Sequence, residues 1–144
     1  MGTISKNFSF SEFERSDTAK SAGIRNAITT FEVRDSIVAL VVNVLQPLRD
    51  AWGAALVVNS GYRCPQLNAL VGGVPTSQHV KGEAADIDAK HPIKLAQLAV
   101  NLGLPFDQLI IYPNFVHISH KLDGEQRGQI LYSSTYKGRR VRTK

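Results

Sequence analysis

The chain has 144 residues, 43% of them hydrophobic and 20% charged. That is enough to bury one core of its own, and it excludes disordered and collagen-like classes. A formal net charge of +5 and a pI near 9.6 favour anionic partners without choosing among nucleic acid, anionic lipid and an acidic polymer.

Cys64 is the only cysteine, so no internal disulfide forms and none is needed at this size. Met1 to Phe8 lacks the apolar stretch of roughly 7–15 residues that a signal peptide carries, and no run of about 20 apolar residues occurs. The chain therefore reads as soluble, made in the cytoplasm and not inserted in a membrane, and a monomer is expected.

In chain order, Phe8, Phe10 and Phe13 alternate with Ser9, Ser11 and Glu12, which predicts a short serine-capped helix docked by its rings. From Asp35, a candidate N-cap, Ile37, Val41, Val44, Leu45, Leu48 and Trp52 recur at helical steps, and Pro47 is expected to kink or end that helix. Residues 55–59 are apolar and β-branched and run into Ser60-Gly61, a strand entering a turn. A helix over 65–71, a strand over 84–89, a helix over 92–102 closed by Gly103, and strands over 108–112 and 115–121 follow. Pro113-Asn114 fits a tight hairpin, and residues 128–133 form a further edge strand. Helices first and strands later predict an α+β fold, a small antiparallel sheet packed against helices.

Three polar residues interrupt apolar surroundings. In the strand over 84–89, Ala85, Ile87 and Ala89 share one face, which puts Asp86 and Asp88 on the other. The same alternation sends Val116 and Ile118 one way and His117 the opposite way, so two strands present a carboxylate and an imidazole to one cleft. His79 precedes Asp86 by a short segment in which Gly82 permits a sharp return. Two histidines and an aspartate are the N/O donor set that a catalytic zinc ion takes, with a fourth position left for water. Taken singly, each of the three reads as readily as a hydrogen-bonded structural residue.

Four ordered motifs carry a resemblance: Ser60-Gly61-Tyr62-Arg63, Ser77-x-His79-x-x-Gly82-x-Ala84-x-Asp86, Phe106-Asp107-Gln108-Leu109-Ile110 and Val116-His117-Ile118-Ser119. In order and spacing they resemble the zinc D-Ala-D-Ala carboxypeptidase family, akin in fold to lysostaphin-type endopeptidases and to the zinc site of hedgehog signalling domains, across residues 8 to 121. The resemblance implies a zinc cleft on the open face of the sheet with His79, Asp86 and His117 as ligands, and the strand alternation independently favours His117 over His120. It implies that Arg63 meets a substrate carboxylate or carbonyl oxygen, for which its planar fork is suited. Ser77 either binds substrate or holds the loop by a serine turn.

In one respect the sequence departs from the family, which places a glutamate or histidine two or three residues before its last ligand, where this chain has Asn114 and Phe115. Asp107, opening the strand that pairs with the His117 strand, is the first choice of general base. Tyr112 is a weaker candidate as proton donor or oxyanion partner, and Glu83 and Asp88 are further alternatives.

The implied activity is zinc-dependent hydrolysis of peptidoglycan stem peptides, as a D-Ala-D-Ala carboxypeptidase or related endopeptidase acting at the cell wall, a setting that also fits a phage or prophage lysin. The alternative is a non-catalytic zinc-binding interaction module of the same fold. Residues 1–136 form the zinc peptidase domain, and 137–144 a basic C-terminal tail that reads as solvated. Only the pI and that tail speak for nucleic acid, and aromatic residues do not interleave with the basic ones, so no nucleic-acid partner is expected.

Overall fold

The computed structural model describes residues 2–143. A two-stranded ribbon, β1 (Thr3–Ser5) and β2 (Phe8–Ser9), leads into α1 (Phe10–Glu14), where the Glu12 carboxylate accepts the backbone N–H of the capping Ser9 at 2.9 Å. Phe8, Phe10 and Phe13 are buried, as their spacing predicted. A helix that the sequence reading did not anticipate, α2 (Asp17–Ala22), is capped by Ser16 and closed by Gly23 at φ 71°.

The long helix starts ahead of Asp35. Thr30 caps α3 (Phe31–Leu40) by accepting the Val33 N–H, and a wide π-helical turn, Val41–Leu45, passes the chain into α4 (Gln46–Trp52). Pro47 neither ends nor shortens this run. It sits in the first turn of α4, just after a wide turn in which the Gln46 N–H reaches back to the Val41 carbonyl, and a proline is tolerated where regular i to i−4 pairing is already broken.

Five strands make the main sheet: β3 (Val58–Ser60), β4 (Ala84–Asp88), β5 (Gln108–Ile111), β6 (Phe115–Ser119) and β7 (Gln129–Tyr132), in the order β3-β4-β6-β5-β7. Two helices intervene, α5 (Pro65–Leu70) and α6 (Pro92–Asn101). The first four strands in that order pair antiparallel, with β5 and β6 joined by the expected Pro113-Asn114 turn. The last strand, β7, pairs with β5 in parallel. The reason is the path of the chain. Because β6 runs against β5, it ends beside the start of β5, where the Asp107 N–H meets the Ser119 carbonyl at 2.7 Å. The link to β7 passes that same end, with the Gln129 N–H on the Asp107 carbonyl at 2.9 Å, and β7 can then only run alongside β5.

The alternation places the core. Ala85, Ile87, Leu109, Ile111, Val116 and Ile118 are buried against Leu40, Val44, Leu48, Leu95 and Ala99 of the helices, which cover one face of the sheet. The other face carries the paired residues Asp86 and His117. Residues of the stretch read as a solvated tail lie against the domain: the Val141 N–H donates to the Tyr132 hydroxyl at 2.8 Å, and Gln97 bonds both backbone groups of Arg142 at 2.8 and 2.9 Å. Among the described residues no helix is long and apolar enough to cross a membrane.

Candidate metal centre

Cross-strand register brings Asp86 and His117 face to face, so the His117 Nδ1 lies 2.8 Å from the Asp86 Oδ1. His79 arrives from the turns that precede β4 and is buried, with its Nε2 3.3 Å from the same oxygen. Its Nδ1 lies 2.7 Å from the Gly61 carbonyl, which fixes that nitrogen as the proton-bearing donor and turns the Nε2 lone pair inward. Gly61 is required there by packing: a Cβ at this position would stand 2.8 Å from the Phe13 Cα and ring. The close approach of α1 to the end of β3 thus sets the carbonyl that orients His79, and the Tyr62 N–H to Phe13 carbonyl bond of 2.8 Å holds it. Gly82 makes the return towards β4 at φ 76°, under Val33.

His79, Asp86 and His117 each offer one ligand atom, and the three atoms lie within 4.8 Å of one another. Burial alone would raise the Asp86 pKa, but the His117 and His79 imidazoles beside it outweigh burial and hold the carboxyl well below the usual carboxylate range. Arg63 stands behind, its Nη2 3.9 Å from the Asp86 Oδ2 and its other nitrogens bonded to Ser60 and Asn68. Ser77 accepts the His79 N–H at 3.2 Å, a serine turn that shapes the ligand loop, and it also lines the cleft. Tyr112 stacks on Phe115, ring centroids 4.2 Å apart, and burial and the nearby Asp86 raise its pKa, so the phenol keeps its proton. These residues line a cleft of about 400 Å³.

Asp107 is not among them. Its side chain is 0% exposed, and Arg127 clamps it with the backbone N–H (2.9 Å), Nε (3.1 Å) and Nη2 (2.6 Å), while the Gln78 amide adds a bond of 3.2 Å. Bonds from Arg127, opposed by burial, hold its pKa down to about 2. A general base needs a pKa near the working pH and a free oxygen within reach of the reacting water, and Asp107 has neither. The sequence expectation of a base at this residue is therefore corrected: Asp107 fastens the strand entry to the loop that carries His79.

The alternatives fare no better. The Glu83 carboxylate is taken up by the Leu122 N–H (3.1 Å) and Gln78 (3.3 Å), and Asp88 lies exposed at the far end of β4, opposite Phe115. His120 is buried outside the cluster, and burial lowers its pKa. Sequence reasoning missed Gln78, Gln108 and Arg127, which also line the cleft. Gln78 adjoins His79 and could have been suspected, whereas nothing local to Arg127 points at a carboxylate twenty residues upstream.

The Peptidase M15 family model matches residues 6–119. The chain belongs to the Peptidase M15 family. Among curated proteins it is similar to the zinc D-Ala-D-Ala carboxypeptidase of Streptomyces albus G, 32% identical over 126 residues that cover 84% of this chain and 47% of the relative. The chain thus spans about half the length of that relative.

The donor set of this M15 chain fits a metal ion on its own chemistry. Two imidazole nitrogens and a carboxylate oxygen converge, one imidazole already oriented by a carbonyl bond to its other nitrogen, and the remaining side opens to the cleft. The imidazole and carboxylate mixture, without thiolate, matches zinc in a catalytic and not a structural setting.

Proposed function

We propose that the chain is a zinc peptidase that hydrolyses peptidoglycan stem peptides, as a D-Ala-D-Ala carboxypeptidase or a related endopeptidase. The observation that carries this reading is the convergence of His79, Asp86 and His117 within 4.8 Å in a cleft that Arg63 and Tyr112 also line. Membership of a peptidase family and the likeness to a zinc D-Ala-D-Ala carboxypeptidase support the substrate class.

Zinc, when bound, supplies a Lewis acid for the scissile carbonyl and lowers the pKa of water to about 7. Arg63, held by Ser60 and Asn68, offers its guanidinium edge to the substrate carboxylate and fixes which amide sits over the cluster. Tyr112, kept protonated, donates to the oxygen on which charge develops. Hydrolysis adds water to the carbonyl carbon, breaks the C–N bond and releases the amine with the water's proton.

One observation favours a second reading, a zinc-binding module without catalysis: among the described residues, Asp86 is the only carboxylate that lines the cleft. Incubation of zinc-loaded protein with purified muropeptides, followed by mass spectrometry, separates the two. Loss of a terminal residue or a cut stem, absent in His117→Ala, supports the peptidase. Stoichiometric zinc with intact muropeptides supports the module.

A further inference from the structure

A second cavity lies away from the metal centre. It has a volume of about 770 Å³ and is bounded by Gln97 and Asn101 of α6 on one side and by Arg139, Arg140, Arg142 and Thr143 on the other. Because α6 covers the buried face of the sheet, this cavity sits on the side opposite the cleft, and the two share no lining residue.

Three features make it more than a charged chain end. Its backbone is pinned, by both Gln97 bonds to Arg142, by the Val141 N–H to the Tyr132 hydroxyl, and by the Tyr136 hydroxyl to the Arg139 carbonyl at 2.5 Å. Val141 packs on the hydrophobic core, and the Arg140 guanidinium lies 4.2 Å over the Tyr132 ring. Among the described residues none of the three arginines forms an ion pair, and no carboxylate lines the cavity. The nearby C-terminal end of α6 contributes roughly half a negative charge, which offsets only a fraction of three guanidiniums. Forked donors in excess over acceptors are a phosphate-recognising arrangement.

We propose that this cavity binds the phosphates of a phosphodiester-linked polyol polymer, which holds the domain on an anionic surface while the cleft on the opposite face stays free for substrate. No aromatic ring lines the cavity, and Tyr132 is already covered by Arg140 and stacked with Tyr136, so no platform is offered to nucleobases. Preference for a polyol polymer over nucleic acid also draws on the wall-directed reading above; the anion site itself does not.

Binding of the full chain to poly(glycerol phosphate) by titration calorimetry, with no hydrolysis involved, tests the proposal whatever the cleft does. The Arg139→Gln/Arg140→Gln/Arg142→Gln protein should bind at least about tenfold more weakly, and its salt dependence should be shallower by up to about three phosphate contacts. A control carrying Lys6→Gln/Lys20→Gln/Arg25→Gln, of the same net charge but altered at exposed sites elsewhere, should stay near the parent. Asn101→Asp keeps the oxygen that accepts from Gln97 at 2.9 Å and only adds a negative charge to the cavity wall, and should weaken binding several-fold without unfolding the segment. Equal losses in both triple variants, or an unchanged Asn101→Asp protein, would overturn the site. Tighter binding of a DNA oligonucleotide than of the polyol polymer would overturn the choice of ligand.

Discussion

Replacing Asp107 by asparagine separates a fastening role from a catalytic one. The substitution keeps shape and one acceptor oxygen but puts an NH₂ group where an oxygen now accepts from the Arg127 Nη2 at 2.6 Å and from Gln78 at 3.2 Å, so donor faces donor. Charge-assisted hydrogen bonds contribute about 1.5–3 kcal/mol each, and a half-exposed Arg127 recovers part of its loss by hydration. A net cost of about 2 kcal/mol follows, and a midpoint lowered by roughly 5–10 °C in a chain of this length.

The pH dependence has a definite sign. The folded pKa, about 2, lies below the ordinary value of 3.8, so the stabilisation is complete above 3.8 and disappears as pH falls towards 2. Urea unfolding of parent and Asp107→Asn protein should therefore differ at pH 7 with equal slopes, and the gap should narrow in acid over that window. Turnover per folded molecule should fall only modestly. An unchanged unfolding midpoint together with a loss of about 10²–10⁴ in turnover would refute the reasoning and return Asp107 to the role of base.

The ligand assignment predicts that His79→Ala, Asp86→Ala and His117→Ala each abolish stoichiometric zinc, while His120→Ala retains it, as read by elemental analysis of dialysed protein; retained zinc in His117→Ala would remove the assignment. Arg63→Lys should keep zinc and thermal midpoint yet lower kcat/KM by about 10–10², because an ammonium cannot reproduce a planar pair of donors, and full activity would show that only charge is needed. Gly61→Ala should cost about 1–3 kcal/mol in denaturant unfolding, since the new methyl meets Phe13 backbone and ring at 2.8 Å, and should loosen zinc by shifting the carbonyl that orients His79; a neutral result would mean that α1 yields freely.

The parts of this fold that could be read from sequence are those whose physics is local. Strand alternation put Asp86 and His117 on the open face, and the register then set them directly opposite one another. A serine cap on the first short helix was legible from the serines set among Phe8, Phe10 and Phe13, and Ser9 fills it, with Glu12 accepting its backbone N–H. Pro47 misled because a proline's effect depends on which hydrogen bonds the helix around it has already given up, and the wide turn before it leaves no local trace. The parallel sense of β7 was equally hidden, since residues 128–133 look the same whichever way they pair, and only the end at which β6 delivers the chain decides.

Asp107 shows why an acidic residue in a motif is a weaker guide to catalysis than its spacing suggests. A carboxylate at the mouth of a strand paired with the His117 strand invites a catalytic reading, and sequence supplies that neighbourhood. What decides between acting and fastening is whether its oxygens are free, and that depends on Arg127, which reaches Asp107 because β6 delivers the chain to the start of β5 and the link to β7 passes that strand end. The same topological step carries the chain on past Tyr132 to the arginines of the second cavity. The link into this edge strand therefore occupies the Asp107 carboxylate, and the chain beyond the strand builds a cationic surface on the helix side, so both features follow from where β6 delivers the chain, which local sequence does not encode.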